Sequence, residues 1–229
     1  MNTTYPVATV AELIGDPARA AILVALLDAR ARTAGELAFT ANISAQSASG
    51  HLSKLLDGGL LAVRSTGRHR YYSLAAPEVA QALEALGAIS TSARATTIRP
   101  RARADLYTAR SCYDHLAGRI AVKLACSLET SGVLHPRAER EYELGRHGSA
   151  WFAKLGIDVD SLRRSRRTFA RQCTDWTERR PHVAGTLGAA LFSRFVALGW
   201  IARRRDTRAL RITQEGVREF QNRLGLSLS

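Results

Sequence analysis

Lysine is nearly missing from this chain: it occurs only at positions 54, 123 and 154, so almost all of the 33 basic residues are arginine. Acidic residues number 20, which leaves a formal net charge of +13 and a sequence pI near 10.7. That balance points to a polyanionic partner, with nucleic acid the first candidate. Arginine suits bidentate contacts to phosphate and guanine, but a GC-rich genome produces the same bias, so the choice of base carries little weight. Cysteine is scarce and odd in number, at 112, 126 and 173. Three thiols exclude a disulfide framework and point to a reducing cytoplasm. No stretch approaches the roughly 20 consecutive apolar residues of a membrane helix. The first residues, MNTTYPVATVAELIGDP, lack the basic start and apolar run of a signal peptide. A cytoplasmic protein without a membrane partner is therefore expected.

What is there centres on residues 44–74, SAQSASGHLSKLLDGGLLAVRSTGRHRYYSL. Ser44 stands where a helix N-cap belongs. Ala45, Ala48, Leu52, Leu55 and Leu56 recur at helical spacing as an apolar face. Gln46, Ser47, Gly50, Ser53 and Lys54 fall opposite; being short and mostly uncharged, they suit a helix lying against base edges. Gly58 and Gly59 stop the helix through left-handed backbone. LLAVR and RYYSL then pair as a hairpin around a four-residue tip, Ser65 to Arg68. Helix followed by basic hairpin is the reading end of a winged helix-turn-helix.

The flanking residues complete that motif. A first helix covers about 9–14, capped by Thr4 or Thr9. Asp16-Pro17 opens a second, with Ala21, Ile22, Ala25 and Leu26 inward. Thr33 and Glu36 have capping-box spacing and start a third. After the hairpin, Pro77 opens a helix with Val79, Leu83 and Leu86, then Ala82 and Ile89, on one face. Residues 11–90 resemble the ArsR-type transcriptional regulators. The resemblance is carried by Gly15-Asp16-Pro17-Ala18-Arg19, Glu36-Leu37-Ala38, Ser49 through Leu55, Gly59-Leu60-Leu61 and Gly67 through Leu74. It implies a dimeric winged-helix repressor, released from its operator by an effector, with its dimer seam on 9–14 and 78–89. The chain departs from many metal-sensing members in having Leu37-Ala38-Phe39-Thr40-Ala41 where they carry a Cys-x-Cys box. Its last helix offers only Gln81 and Glu84 as polar candidates.

Residues 91–104, TSARATTIRPRARA, show no apolar period and read as a linker. From 105 the chain repeats itself. His115-Leu-Ala-Gly118 matches His182-Val-Ala-Gly185, and Gly132-Val-Leu134 matches Gly199-Trp-Ile201, both pairs separated by 17 residues in each copy (132 − 115 and 199 − 182). Tyr142-Glu-Leu144 then Gly148 parallels Leu210-Arg-Ile212 then Gly216. Each copy reads helix, glycine stop, strand, turn, strand, helix. The expected fold is mainly α with small β wings (α+β): a winged helix-turn-helix domain at 1–90, the linker, and two winged-helix-like repeats, about 105–160 and 161–229. The helices around 116–128 and 183–198 are apolar nearly all round, which predicts burial.

Cys112, Asp114, His115, Cys173, Asp175 and His182 form the chemically distinctive set. If the repeats pack about a pseudo-two-fold axis, two thiolates and two imidazoles suit zinc or a similar soft ion. Cys112, His115, Cys173, Asp175 and His182 are the metal candidates, the first two read as a C-x-x-H pair on one helix. Ordinary core packing and a redox-responsive thiol pair are the alternatives. Cys126 reads as core. Trp151, Trp176 and Trp200, with Phe152, Phe192 and Phe195, either line an apolar effector pocket or fill the core. Arg163, Arg164, Arg166 and Arg167 read as a solvated charge run on one helix. For DNA, the candidates are Ser44, Gln46, Ser47, Ser49, Gly50, His51 and Lys54 on the helix, and Arg64, Arg68 and Arg70 on the wing. The expected partners are double-stranded DNA with a pseudo-palindromic operator, a second copy of the chain, and an effector sensed in 105–229. An effector-independent architectural dimer is one alternative; an enzyme tethered to DNA, using a Cys/His site, is the other. The second half lacks a Gly-rich phosphate loop, a nucleophile elbow and a paired-carboxylate motif, which argues against that enzyme.

Overall fold

The computed structural model describes residues 6–89, 100–204 and 207–227. The chain divides into two compact units, Met1–Leu83 and Glu84–Ser229. The division passes through α5 (Pro77–Ile89) rather than after residue 90. Of the expected linker, 91–99 lie outside the described residues, and its last residues belong to helix α6 (Pro100–Thr108).

In the first unit, α1 (Pro6–Gly15) and α2 (Pro17–Ala25) precede a short strand β1 (Arg32–Thr33), then α3 (Ala34–Ala41) and α4 (Ala45–Asp57). The local signals explain the helix starts. Asp16 accepts the backbone N–H of Arg19 at 2.9 Å, with Pro17 at the first helical position. Thr33 and Glu36 close a full capping box, Thr33 N–H donating to Glu36 Oε2 at 2.7 Å. That backbone bond holds the Glu36 carboxyl below its usual pKa, so its contribution is present above the ordinary carboxylate range and fades as the pH falls through the lowered value. Thr33→Ala should destabilise the unit by about 1 kcal/mol, read as a lower urea midpoint with an unchanged slope.

α4 buries Ala48, Leu52 and Leu55. Ala45, expected on the inner face, is exposed, because it sits in the first turn before the helix meets its neighbours. Of the two terminal glycines only Gly59 has left-handed backbone (φ +69°). Gly58 is needed for a different reason: a Cβ there would run into Leu13 Cδ1, where α1 packs on the helix end. The wing strands β2 (Leu61–Thr66) and β3 (His69–Leu74) run further than expected, leaving a two-residue turn, Gly67-Arg68, instead of four. β1 adds a third strand beside β3, in the order β1-β3-β2. In α5 the inward residues are Ala80, Leu83 and Glu84, whereas Ala82, Leu86 and Ile89 do not share that buried face.

The second unit is built twice over. Each copy opens with a hairpin that the sequence pattern concealed: β4 (Arg110–Cys112) with β5 (His115–Ala117), and β8 (Arg171–Thr174) with β9 (Pro181–Ala184). A long helix follows in each, α7 (Arg119–Thr130) and α10 (Gly185–Ala197). Then come second hairpins, β6 (Leu134–Pro136) with β7 (Tyr142–Leu144) and β10 (Ile201–Arg203) with β11 (Leu210–Ile212). The first copy closes with α8 (Gly148–Ala153) and α9 (Val159–Arg163), the second with α11 (Gln214–Leu224). Cys112 and His115 therefore lie in strands, not on one helix as expected, and His182 lies in a strand as well. The helices start only after Gly118 (φ +91°) and at Gly185 (φ +80°), where a Cβ would stand 2.9 Å and 2.6 Å from preceding carbonyl oxygens.

The two copies exchange partners. Leu210 N–H donates to Ala109 O at 2.9 Å, and Tyr142 N–H donates to Ala170 O at 3.0 Å, so the first hairpin of each copy abuts the second hairpin of the other. Likewise α10 packs on β5 while α7 packs on β9. These reciprocal contacts describe an approximate two-fold relation. A large core spans both copies, including Leu116, Ile120, Leu124, Leu187, Leu191 and Phe195, and a small cluster of Cys112, Ala117, Cys173 and Ala184 spans them as well.

Candidate functional site

The polar face of α4 stands free on the surface of the first unit. Gln46, Ser47, Ser49, Gly50 and Lys54 are all exposed, as are Arg64, Arg68 and Arg70 on the wing. Ser44 is committed to the helix cap, accepting Ser47 N–H at 3.1 Å, and its hydroxyl lies 3.0 Å from that of Ser47. His51 is half-buried and faces the other way, its Nδ1 3.7 Å from Asp16 Oδ1. It belongs to the inner edge of the helix. A helix with small, uncharged outward side chains beside an arginine-bearing hairpin can approach a groove closely while the hairpin meets phosphate.

The second unit brings four separated residues to one point. Cys112 is the cross-strand partner of His115, and Cys173 of His182. The longer stretch between Cys173 and His182 only extends the hairpin loop, so the pairing survives the unequal spacing. The exchange of partners between copies then turns the two hairpin ends toward each other. Cys112 Sγ lies 4.0 Å from Cys173 Sγ, and His115 Nε2 lies 3.1 Å from His182 Nε2. One donor atom from each of the four falls within 4.8 Å of the others, and all four residues are buried. Gly188 is where α10 runs close to β9: a Cβ there would stand 2.4 Å from the Val183 carbonyl oxygen and 3.3 Å from the His115 Cβ.

Carboxylates stand behind both imidazoles. Asp114 Oδ1 is 3.3 Å from His115 Nδ1, and Asp175 Oδ2 is 3.5 Å from His182 Nδ1. Asp175 is thus not one of the converging donors but a carboxylate beside one of them. It also accepts from Gly118 N–H at 2.7 Å and from Arg110 at 3.0 Å, and all of its polar work is done in full burial. Burial raises the Asp175 carboxyl pKa, but Arg110, the Thr177 hydroxyl and His182 outweigh it and hold it at about 2. For His115, burial is outweighed by its bonds to Asp114 and Cys173, and the imidazole rises to about 9. Between the thiols, the hydrogen bond from Cys112 favours the thiolate at Cys173, while that bond and burial push Cys112 up.

Comparison with known proteins places this architecture. The helix-turn-helix domain family matches residues 14–64. The chain is 44% identical over 223 residues to the uncharacterized HTH-type transcriptional regulator YdfF of Bacillus subtilis (strain 168), covering 97% of this chain and 98% of that one. The chain belongs to the HTH-type transcriptional regulators. Its first unit folds as a winged helix-turn-helix. Solved structures similar to this regulator include the homodimeric winged helix-turn-helix DNA-binding domain of Mb0332 from Mycobacterium bovis, 28% identical over 38% of this chain and 80% of that one, with TM-score 0.35. The cadmium metal-sensor CMTR from Mycobacterium tuberculosis is 34% identical over 41% of this chain and 94% of that one, with TM-score 0.33.

Other expected site residues of the regulator are dispersed. Trp200, Phe152, Phe192 and Phe195 are core. Trp151 lines an open cavity of about 340 Å³, with Lys154, Leu155, Arg223 and Leu224. Trp176 instead lies under the Arg110 guanidinium, 4.7 Å from ring centroid to carbon. Cys126 is half-buried rather than core, on the outer side of α7. The arginine run does not share a helix: α9 ends at Arg163, and Arg167 pairs with Asp114 at 2.8 Å. Sequence reasoning missed Arg110, fully buried between Asp175 and Trp176. Its only sequence signal was its place two residues before Cys112, matching Arg171 before Cys173. No helix among the described residues is long and apolar enough to cross a membrane.

Proposed function

We propose that this regulator is a homodimeric, sequence-specific DNA-binding repressor whose second unit senses an effector. The observation that carries the reading is a contrast between equivalent helices. α4 presents an exposed polar face beside a basic wing, whereas α7 and α10, at the same place in the later copies, are built into a core. Only the first unit keeps a surface for DNA, which leaves the two repeats of the second unit free for control. Exposed apolar side chains, Val7 (72% exposed) on α1 and Leu86 and Ile89 (47% and 76%) on α5, support a seam with a second copy on those helices. A two-fold dimer presents two recognition helices about 34–36 Å apart, one turn of a pseudo-palindromic operator. An effector that binds one arrangement of the dimer better than another shifts the population and so the affinity for DNA.

The test is a titration of the full chain onto duplex DNA from upstream of its own coding region, at several salt concentrations, against random duplex of equal length. Preferential, salt-sensitive binding is expected; equal affinity for both duplexes sinks the reading. Two variants separate the contact types. Gln46→Ala should lose roughly 1–3 kcal/mol of discrimination between operator and random DNA, with the salt slope nearly unchanged. Arg68→Ala should weaken binding to both duplexes alike and reduce the slope of log K against log salt by about 0.9 for each phosphate it no longer neutralises.

A further inference from the structure

We infer that Cys112, His115, Cys173 and His182 hold one zinc(II) ion, tetrahedrally, and that this ion clasps the two repeats of the second unit together. The sulfur–sulfur and nitrogen–nitrogen edges come close to those of a zinc tetrahedron, and all four donor atoms lie within 4.8 Å of one another. Zinc–sulfur and zinc–nitrogen bonds of about 2.3 and 2.05 Å imply tetrahedral edges of roughly 3.8 Å between sulfurs and 3.3 Å between nitrogens. The distances are 4.0 and 3.1 Å. The donor chemistry fits as well. Two thiolates and two neutral imidazoles suit a borderline-soft ion and offer none of the oxygen ligands that magnesium or calcium require. Two thiolates cancel the charge of a divalent cation, so the complex is neutral, as a site buried on all sides demands.

The surroundings point the same way. Each imidazole turns Nε2 inward and has a carboxylate behind Nδ1, Asp114 for His115 and Asp175 for His182. A carboxylate bonded to Nδ1 fixes the ring orientation of a metal-bound histidine and strengthens it as a donor. Asp114 does this for His115, while Asp175 stands 3.5 Å from the His182 Nδ1, which has no hydrogen bond among the described residues. A disulfide between the cysteines accounts for less. The sulfurs would have to close from 4.0 Å to about 2.05 Å, and the two inward nitrogens would be left facing each other. With four protein donors and no open position, the site is of the closed kind that stabilises a fold. On binding, every proton held on a coordinating sulfur or Nε2, of thiol or imidazolium alike, passes to solvent and no redox change takes place. Because each repeat supplies one Cys and one His, the ion ties segments 61 residues apart at the cysteines (173 − 112) and 67 at the histidines (182 − 115). It would do so whether or not the chain reads DNA.

The test uses the full chain, purified without chelator. Elemental analysis should find about one zinc per chain. Stripping with a strong chelator should lower the thermal midpoint, and added zinc should restore it. Cobalt(II) added to the stripped wild-type chain should give the intense visible bands of tetrahedral coordination and a sulfur-to-cobalt charge-transfer band. Cys126→Ser, outside the cluster, should keep both; Cys112→Ser and Cys173→Ser should lose the charge-transfer intensity and most of the zinc. The cobalt spectrum of the wild-type chain decides the matter even if those variants fail to fold. Zinc well below one equivalent with a weak, octahedral cobalt spectrum would overturn the proposal. So would a Cys112–Cys173 disulfide in chain purified under reducing conditions.

Discussion

Asp175→Ala should destabilise the second unit by about 3–5 kcal/mol, because it strands a buried guanidinium. Arg110 and Asp175 are both fully buried and meet at 3.0 Å. The carboxylate also satisfies the Gly118 amide at 2.7 Å and the Thr177 amide and hydroxyl at 2.9 and 2.7 Å. Alanine removes the acceptor from all of these at once and leaves the Arg110 charge with the Leu106 carbonyl, the Thr177 hydroxyl and the Trp176 ring. The asymmetry of buried pairs makes the prediction specific. Replacing both partners by apolar residues, Arg110→Met with Asp175→Leu, should destabilise far less than Asp175→Ala alone with respect to the charge pair. Chemical denaturation of the full chain, following the second unit by tryptophan fluorescence, reads both. A loss below about 1 kcal/mol for Asp175→Ala would show that water reaches the pair and that it is not the electrostatic centre of the unit.

Phe195→Ala should destabilise the same unit by about 3–5 kcal/mol, through a cavity in the large core shared by the repeats. Phe195 stacks on Trp200 at 5.3 Å and meets Phe220 edge-on at 5.1 Å, while Trp200 and Phe220 lie edge-on at 5.5 Å. The equivalent positions in the first copy hold Leu128, Val133 and Phe152, all buried. The second copy thus carries the larger aromatic volume, and aromatic pairs contribute beyond their buried area. Leu128→Ala should therefore cost less, in the lower part of the roughly 2–5 kcal/mol range for large aliphatic truncations. Urea midpoints with unchanged slopes check the comparison; a smaller loss for Phe195 than for Leu128 would place the packing centre in the first copy.

These two residues also show where legibility stopped. Phe195 was legible as an aromatic with two uses, an effector pocket or the core, and its full burial decides for the core. Asp175 was visible only as a polar residue near Cys173 and His182, and its role as a support rather than a ligand came from the fold.

By itself the sequence determined what nearest neighbours decide. Asp16, Thr33 and Ser44 cap helices because their oxygens reach amides three residues on. The wing, the left-handed backbone at Gly59 and the duplication likewise follow from local conformation and from spacing along the chain. Only the tertiary structure decided that residues 110–117 and 171–184 are hairpins rather than helix starts. Strands of three or four residues carry too little periodicity to be told from a helix turn, and a cross-strand register is set by the partner. The meeting of Cys112 and His115 with Cys173 and His182 depends on that register and on the exchange of hairpins between copies. Those are contacts between segments more than 60 residues apart, fixed by the shared core and by the buried Arg110–Asp175 pair, and no spacing within either segment encodes them.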